Sequence, residues 1–168
     1  DLVGALRTAA GIGVWKNNGS GTFGSQASYS AATGSRPREI AAADFDSAGD
    51  LDVATADDDS GTVSVLKNDG SGGFSGLATY SVGANAASIA FGDFNDDGHF
   101  DLVTTAPGDN WVRILLNDGT GVFAVQTPIP LDGASRVIAT DLTGDSLDDL
   151  VVVTHSNYAI HLYPSQGD

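Results

Sequence analysis

The sequence predicts an all-β protein, and three observations carry that prediction. Short apolar stretches alternate with clusters of Gly, Asn, Asp and Ser, and glycine supplies 22 of the 168 residues. No segment sustains a 3.6-residue apolar period, so amphipathic helices are not the building unit. The third observation is an internal repeat. An acidic stretch recurs as DFDSAGDLDVATA from Asp44, DFNDDGHFDLVTTA from Asp93 and DLTGDSLDDLVVVT from Asp141, with a truncated copy, DLVGA, at Asp1. Asp1, Asp52, Asp101 and Asp149 are thereby equivalent, separated by 51, 49 and 48 residues.

A second signature follows each copy at constant distance. Sixteen residues after the equivalent Asp come NNGSGTF at Asn17, NDGSGGF at Asn68 and NDGTGVF at Asn117, decaying to SQGD at Ser165. From Phe23, Phe74 and Phe123 to the next acidic stretch the distance is 21, 19 and 18 residues, so one connection absorbs the length variation. A repeat behaves this way when its core is fixed and one loop is free.

Within the third repeat the pattern predicts four strands, at 88–94, 101–106, 111–117 and 122–129. Asn-Asp-Gly between the third and fourth supplies the φ > 0 positions of a tight hairpin. Stretches such as DLVVV and RILL are apolar on both faces and need cover on both sides. A four-stranded antiparallel unit of this length, stacked on copies of itself, reads as a β-propeller blade. The blades fall at 1–38 (lacking its first strand), 39–87, 88–135 and 136–168 (lacking its fourth). Because closed propellers need more blades, the expectation is a longer parent chain, or a homodimer closing a ring of seven or eight.

Charge narrows the partners. With 22 acidic against 7 basic residues and a net charge of −15, the chain repels phosphate, so nucleic acid is not an expected partner and cations are. Cysteine and methionine are absent, which excludes a thiolate metal site and a disulfide frame. No apolar run approaches the roughly 18 residues of a bilayer span, so membrane insertion is not expected.

The combination F-G-D-F-N-x-D-G-x-x-D-L with a downstream N-D-G-x-G-x-F resembles the FG-GAP or VCBS repeat of integrin α-chains and many bacterial secreted proteins. Phe91-Gly92 and Ala106-Pro107 echo the residues that name that family, although the other repeats lack both pairs. The resemblance implies a calcium-binding propeller, with the ion in the loop joining the first two strands, in an extracellular or cell-surface protein.

The residues themselves suit that chemistry. Calcium takes six to eight oxygen ligands, and alternate residues of a tight loop can aim inward. The third repeat offers Asp93, Asn95, Asp97, the His99 carbonyl and Asp101, with Gly98 permitting the turn. The fourth offers Asp141, Thr143, Asp145, the Leu147 carbonyl and Asp149, with Ser146 in place of that glycine. The second offers Asp44, Asp46, the Asp50 carbonyl and Asp52, but Ala48 stands where a carboxylate is wanted. By ligand count the loops rank in that order. Carboxylates about 5 Å apart repel by about 3 kcal/mol per pair at an effective dielectric near 20, a cost that a cation removes.

Hairpin parity puts the acidic loops and the N-D-G turns at one end of the blades. The opposite end carries Arg7, Arg36, Arg38, Asp57 to Asp59, Asp109, Trp111, His155 and Tyr158, and there Trp111, expected as an exposed aromatic at the start of a third strand, Asp109, Arg36, Arg38 and Tyr158 are the candidate ligand-binding residues. Trp15 aligns with Leu66 and Leu115 as a core position. The histidines do not cluster and no nucleophile motif appears, so a non-enzymatic module for protein or carbohydrate ligands is expected. The alternatives are the propeller of a polysaccharide lyase, also suggested by resemblance, and a structural spacer.

Overall fold

The computed structural model describes residues 1–165. Its strands are β1 (Leu2–Leu6), β2 (Gly11–Trp15), β3 (Ala27–Ser30), β4 (Pro37–Ala43), β5 (Asp52–Asp57), β6 (Thr62–Asn68), β7 (Phe74–Ser81), β8 (Ser88–Gly92), β9 (Asp101–Ala106), β10 (Trp111–Asn117), β11 (Phe123–Val125), β12 (Ile129–Pro130), β13 (Ala134–Thr140), β14 (Asp149–Thr154) and β15 (Ile160–Tyr163). They form four antiparallel meanders, β1-β2-β3, β4-β5-β6-β7, β8-β9-β10 with β11 and β12, and β13-β14-β15. The protein is all-β, its sheets being partial propeller blades. No helix among the described residues is long and apolar enough to cross a membrane.

The third repeat keeps its predicted second and third strands, and its first ends at Gly92 rather than residue 94. Its fourth strand differs. The predicted 122–129 segment is two pieces, β11 pairing Leu115 with Val125 and β12 pairing Val112 with Ile129. Three residues, 126–128, lie opposite two, 113 and 114. Regular pairing stops at Gln126, whose N–H donates to the Ile114 carbonyl, and Pro128 has no N–H to continue it.

The hairpin turns also refine the prediction. Positive φ falls on both glycines of each signature, Gly70 and Gly72 or Gly119 and Gly121, not on the preceding Asn and Asp. The Asn side chain holds the turn instead. Asn68 Oδ1 accepts from Gly70 and Gly72, and Asn117 Oδ1 accepts from Gly119 and Gly121.

The core lies between the sheets. β9 is buried along its whole length because both faces are covered: Leu102 packs with Phe45, Ala54 and Val63 of the second sheet, and Val103 with Val137 and Val152 of the fourth. At the first seam Ile12 and Val14 pack on Val53, with Ile40 and Phe74 against them. Every sheet thus shows one apolar face forward and one backward along the array. Trp15, the expected core position, is half-buried and lies against Gly4 and Gly13, where any Cβ would meet its ring.

Candidate metal centre

Each acidic loop joins the first strand of a sheet to its second, and the carboxylates at its two ends organise it. Short Asp side chains can accept from backbone N–H groups a few residues on. Asp44 accepts from Ala48 and Gly49, Asp93 from Asp97 and Gly98, and Asp141 from Gly144 and Ser146. The sharp turn places Gly49 at φ +90°, Gly98 at φ +83° and Ser146 at φ +74°, so Gly98 has the predicted role and Ser146 bears backbone strain.

The closing Asp explains the constant spacing of sixteen. Asp52 accepts from the N–H of Phe45 at 3.2 Å and of Asn68 at 2.8 Å. Asp101 does the same with Phe94 at 3.0 Å and Asn117 at 2.7 Å. Asp149 takes Leu142 and Ser165, both at 2.8 Å, and Asp1 takes Asn17 at 2.8 Å. One carboxylate fastens the acidic loop to the hairpin turn two strands away, and an insertion between them breaks the fastening.

Burial sets the protonation of these groups. Desolvation pushes Asp101 up to about 6 despite the Asn117 and Phe94 donors, with Asp97 and Asp93 adding repulsion. Asp52 is raised for the same first reason, with further repulsion from Asp46 and Asp50. Asp149 is instead lowered, chiefly by the Ser165 and Leu142 N–H donors. Asp97 is lowered by the Asn95 amide.

Convergence of the ligands departs from the ranking by ligand count. Asp44, Asp46 and Asp52 bring carboxylate oxygens within 4.8 Å of one another, the one such acid or histidine group of three among the described residues. In the third repeat Asp97 is held by Asn95 Nδ2 and the His99 N–H, each at 2.9 Å, and in the fourth Asp145 accepts from Leu147 N–H at 3.0 Å. In the second repeat Ala48 adds no charge, and Lys67 Nζ lies 3.4 Å from Asp46. The ammonium offsets the repulsion of three close acids.

The donor set tests the metal reading. All three converging groups are hard oxygens, and Asp50, two residues before Asp52 in the same loop, has a buried carboxylate oxygen without a hydrogen-bond partner. Such a set fits a calcium-like cation rather than a soft metal. The remaining predicted positions are placed less closely. Asn95 and Thr143 are exposed, the Leu147 side chain is half-buried, and the His99 ring lies against Gly119 of the hairpin turn.

Three contributors cross between sheets and escaped the sequence reading. Asp148 Oδ2 reaches back to accept from Asp93 N–H at 3.3 Å, its carboxylate lying where a side chain on Gly92 would be. The signal was an Asp-Asp pair where other repeats have Leu51-Asp52 and Phe100-Asp101. Asn117 Nδ2 donates to the carbonyls of Phe45 at 2.8 Å and Phe100 at 3.0 Å, tying one sheet's turn to the acidic loop of the sheet before it. Lys67 bridges Asp46 and the Thr120 carbonyl of the next turn.

At the opposite end the candidate ligand residues are dispersed among structural contacts. Trp111, expected to be an exposed aromatic, is half-buried and donates its indole N–H to the Val82 carbonyl at 2.8 Å. It lies flush against Gly83, whose missing side chain makes the room, and Arg113 stacks on its ring. Asp109 accepts from Ala84 N–H at 2.6 Å. Arg36 pairs with Asp58 at 3.0 Å and Asp59 at 3.4 Å. Arg38 is exposed beside Arg136, and Tyr158 is 93% exposed. Asp57, also unforeseen as a special residue, is fully buried and accepts from Thr55, Thr62 and Ser64 hydroxyls.

Antiparallel meanders in series, the second and third each with an acidic loop fastened to a glycine-rich turn, define a tandem propeller repeat. The chain belongs to the FG-GAP-like repeat family, whose model matches residues 1–55, 44–104 and 93–152. A search of curated proteins gave no match. Among solved structures, the Photorhabdus luminescens Tc holotoxin pore is similar in fold, with a TM-score of 0.56 and 19% identity. The match covers 95% of this chain and 8% of that one, so the chain spans a small part of the length of the protein it resembles.

Proposed function

We propose that the chain is a calcium-stabilised propeller module that binds a protein or carbohydrate partner in a secreted or cell-surface protein. One observation carries the calcium reading: the carboxylate oxygens of Asp44, Asp46 and Asp52 converge within 4.8 Å of one another in one loop. Asp93 with Asp101, and Asp141 with Asp149, supply weaker versions of the same oxygen set. An ion at such a loop neutralises acids that also fasten the hairpin turns, so its effect is on stability.

The ligand face we assign is the end away from these loops, where Arg38 and Tyr158 are open to solvent. The module acts by binding rather than catalysis. Of the groups at that end, Arg7 and Arg36 are engaged by Asp58 and the Trp111 N–H by the Val82 carbonyl.

Thermal unfolding after chelation tests the metal reading. Binding at a hundredfold excess over Kd stabilises by about 2.7 kcal/mol, and each kcal/mol moves the Tm of a chain this size by roughly 2–4 °C. Ala48→Asp, which restores the missing carboxylate, should tighten calcium binding measured calorimetrically, and Asp46→Asn should weaken it. A Tm indifferent to millimolar calcium refutes the reading. Glycan-array and pull-down binding, with Arg38→Ala and Tyr158→Ala as controls, tests the ligand face.

A further inference from the structure

We infer that Lys67 is a built-in counterion of the loop that carries Asp44, Asp46 and Asp52, competing there with calcium and so setting the loop's affinity for the ion. The inference rests on the calcium reading of this loop and adds the residue that tunes it.

The repeat supplies the comparison. The chain has two lysines, and both stand fifteen residues after an equivalent aspartate. Each crosses a seam: Lys16 Nζ donates to the Ser71 carbonyl, and Lys67 Nζ to the Thr120 carbonyl, both in the hairpin turn of the next sheet. The receiving turn leaves room for the side chain. A Cβ on Gly72 would lie 3.1 Å from Lys16 Cε, and one on Gly121 would lie 2.9 Å from Lys67 Cε. Lys67 is therefore a half-buried residue held by the neighbouring sheet, and its charge has a fixed place.

That place is beside an acid of the loop. Lys67 Nζ lies 3.4 Å from Asp46 Oδ2, while the Ala48 N–H donates to Asp46 Oδ1 at 3.3 Å. Both oxygens of Asp46 are thus engaged. In the repeats that carry both positions the two residues change together: Lys67 goes with Asp46, Leu116 with Asn95, and Pro164 with Thr143. The ammonium is present where the carboxylate is. A dication held by Asp44, Asp46 and Asp52 would have this ammonium as a neighbour, and like charges at such separations repel. Calcium must share Asp46 with Lys67 or displace it, and either course weakens binding relative to the three acids alone.

Calorimetric titration of the full chain with calcium chloride, after chelator is removed, tests this. Lys67→Met should lower the dissociation constant of one calcium ion at least tenfold. The gain should vanish in Lys67→Met/Asp46→Asn, which assigns it to this loop. Lys16→Met removes the same kind of seam contact beside the truncated acidic copy, so it should lower the urea midpoint and leave calcium affinity unchanged. In chelator Lys67→Met should also have a lower urea midpoint than the parent, and calcium should raise its midpoint by more. Circular dichroism checks that each variant keeps its β-structure; if Lys67→Met does not, Lys67→Gln takes its place. A parent that binds calcium with the same affinity as Lys67→Met overturns the inference and leaves the calcium reading standing, as does a gain that survives Asp46→Asn. If neither parent nor Lys67→Met binds calcium, the calcium reading fails and the inference fails with it.

Discussion

Acidification should stabilise the metal-free protein over a defined window, with Asp101 the principal cause. Its carboxyl is fully buried, and desolvation raises it from 3.8 to about 6. The native state therefore holds this proton more tightly than the unfolded chain does between those values. The contribution is complete below about pH 4 and is lost as pH rises through 6. About two units at 1.36 kcal/mol each is about 3 kcal/mol, so unfolding free energy in chelator should rise by about that much from pH 7 to pH 4. Asp52 and Asp57 are raised by burial as well and act in the same direction. Asp69, Asp97, Asp118 and Asp149 are lowered, and what they contribute is lost only as pH falls below the usual carboxylate range. Urea unfolding across pH 4–7, with the parent chain compared to Asp101→Asn, isolates the residue. The variant starts less stable, because an amide cannot accept from both Phe94 and Asn117, but its slope should be shallower by about 3 kcal/mol over the window. If both proteins show the same pH slope, the burial argument for Asp101 is wrong.

Two further predictions concern the loop and the seam. Ser146→Gly should stabilise by about 0.5–1 kcal/mol, since relief of the left-handed strain at φ +74° exceeds the entropy glycine adds to the unfolded chain. Gly98→Ala should do the opposite by a similar amount, both read as a shift in urea midpoint. Asn117→Ala should cost about 2–5 kcal/mol, because it removes two donated and two accepted hydrogen bonds at the junction of two sheets. Asn17→Ala, whose side chain accepts only from Gly19 in an exposed turn, should cost much less, and equal losses for the two would refute the junction argument.

Much of the fold was legible because it is local. Gly and Asn clusters between apolar runs locate the turns, and the recurrence of one Asp fixes the phase of four sheets. The constant sixteen-residue interval was visible as a number, and Asp101 shows its cause: a carboxylate spanning from loop to turn tolerates no insertion. Strand ends were less legible. The break after Val125 depends on how Thr127 and Pro128 meet the β10 edge, which pattern alone does not display. Trp111 read as exposed because a residue at a strand's start is open to solvent unless a neighbouring repeat covers it, and the Val82 carbonyl and Gly83 do.

The sequence by itself determined the all-β class, the repeat, the acidic loops at one end and the calcium-like oxygen chemistry, since each is a matter of residue type and spacing along one strand pair. Tertiary structure alone decided which loop draws its acids together. That depends on Lys67 reaching Asp46 and on Asn95 and His99 turning Asp97 aside, and on Asn117 and Asp148 joining loops of adjacent sheets. Contacts across a seam join residues about 50 apart, and such distances have meaning only once the sheets are stacked.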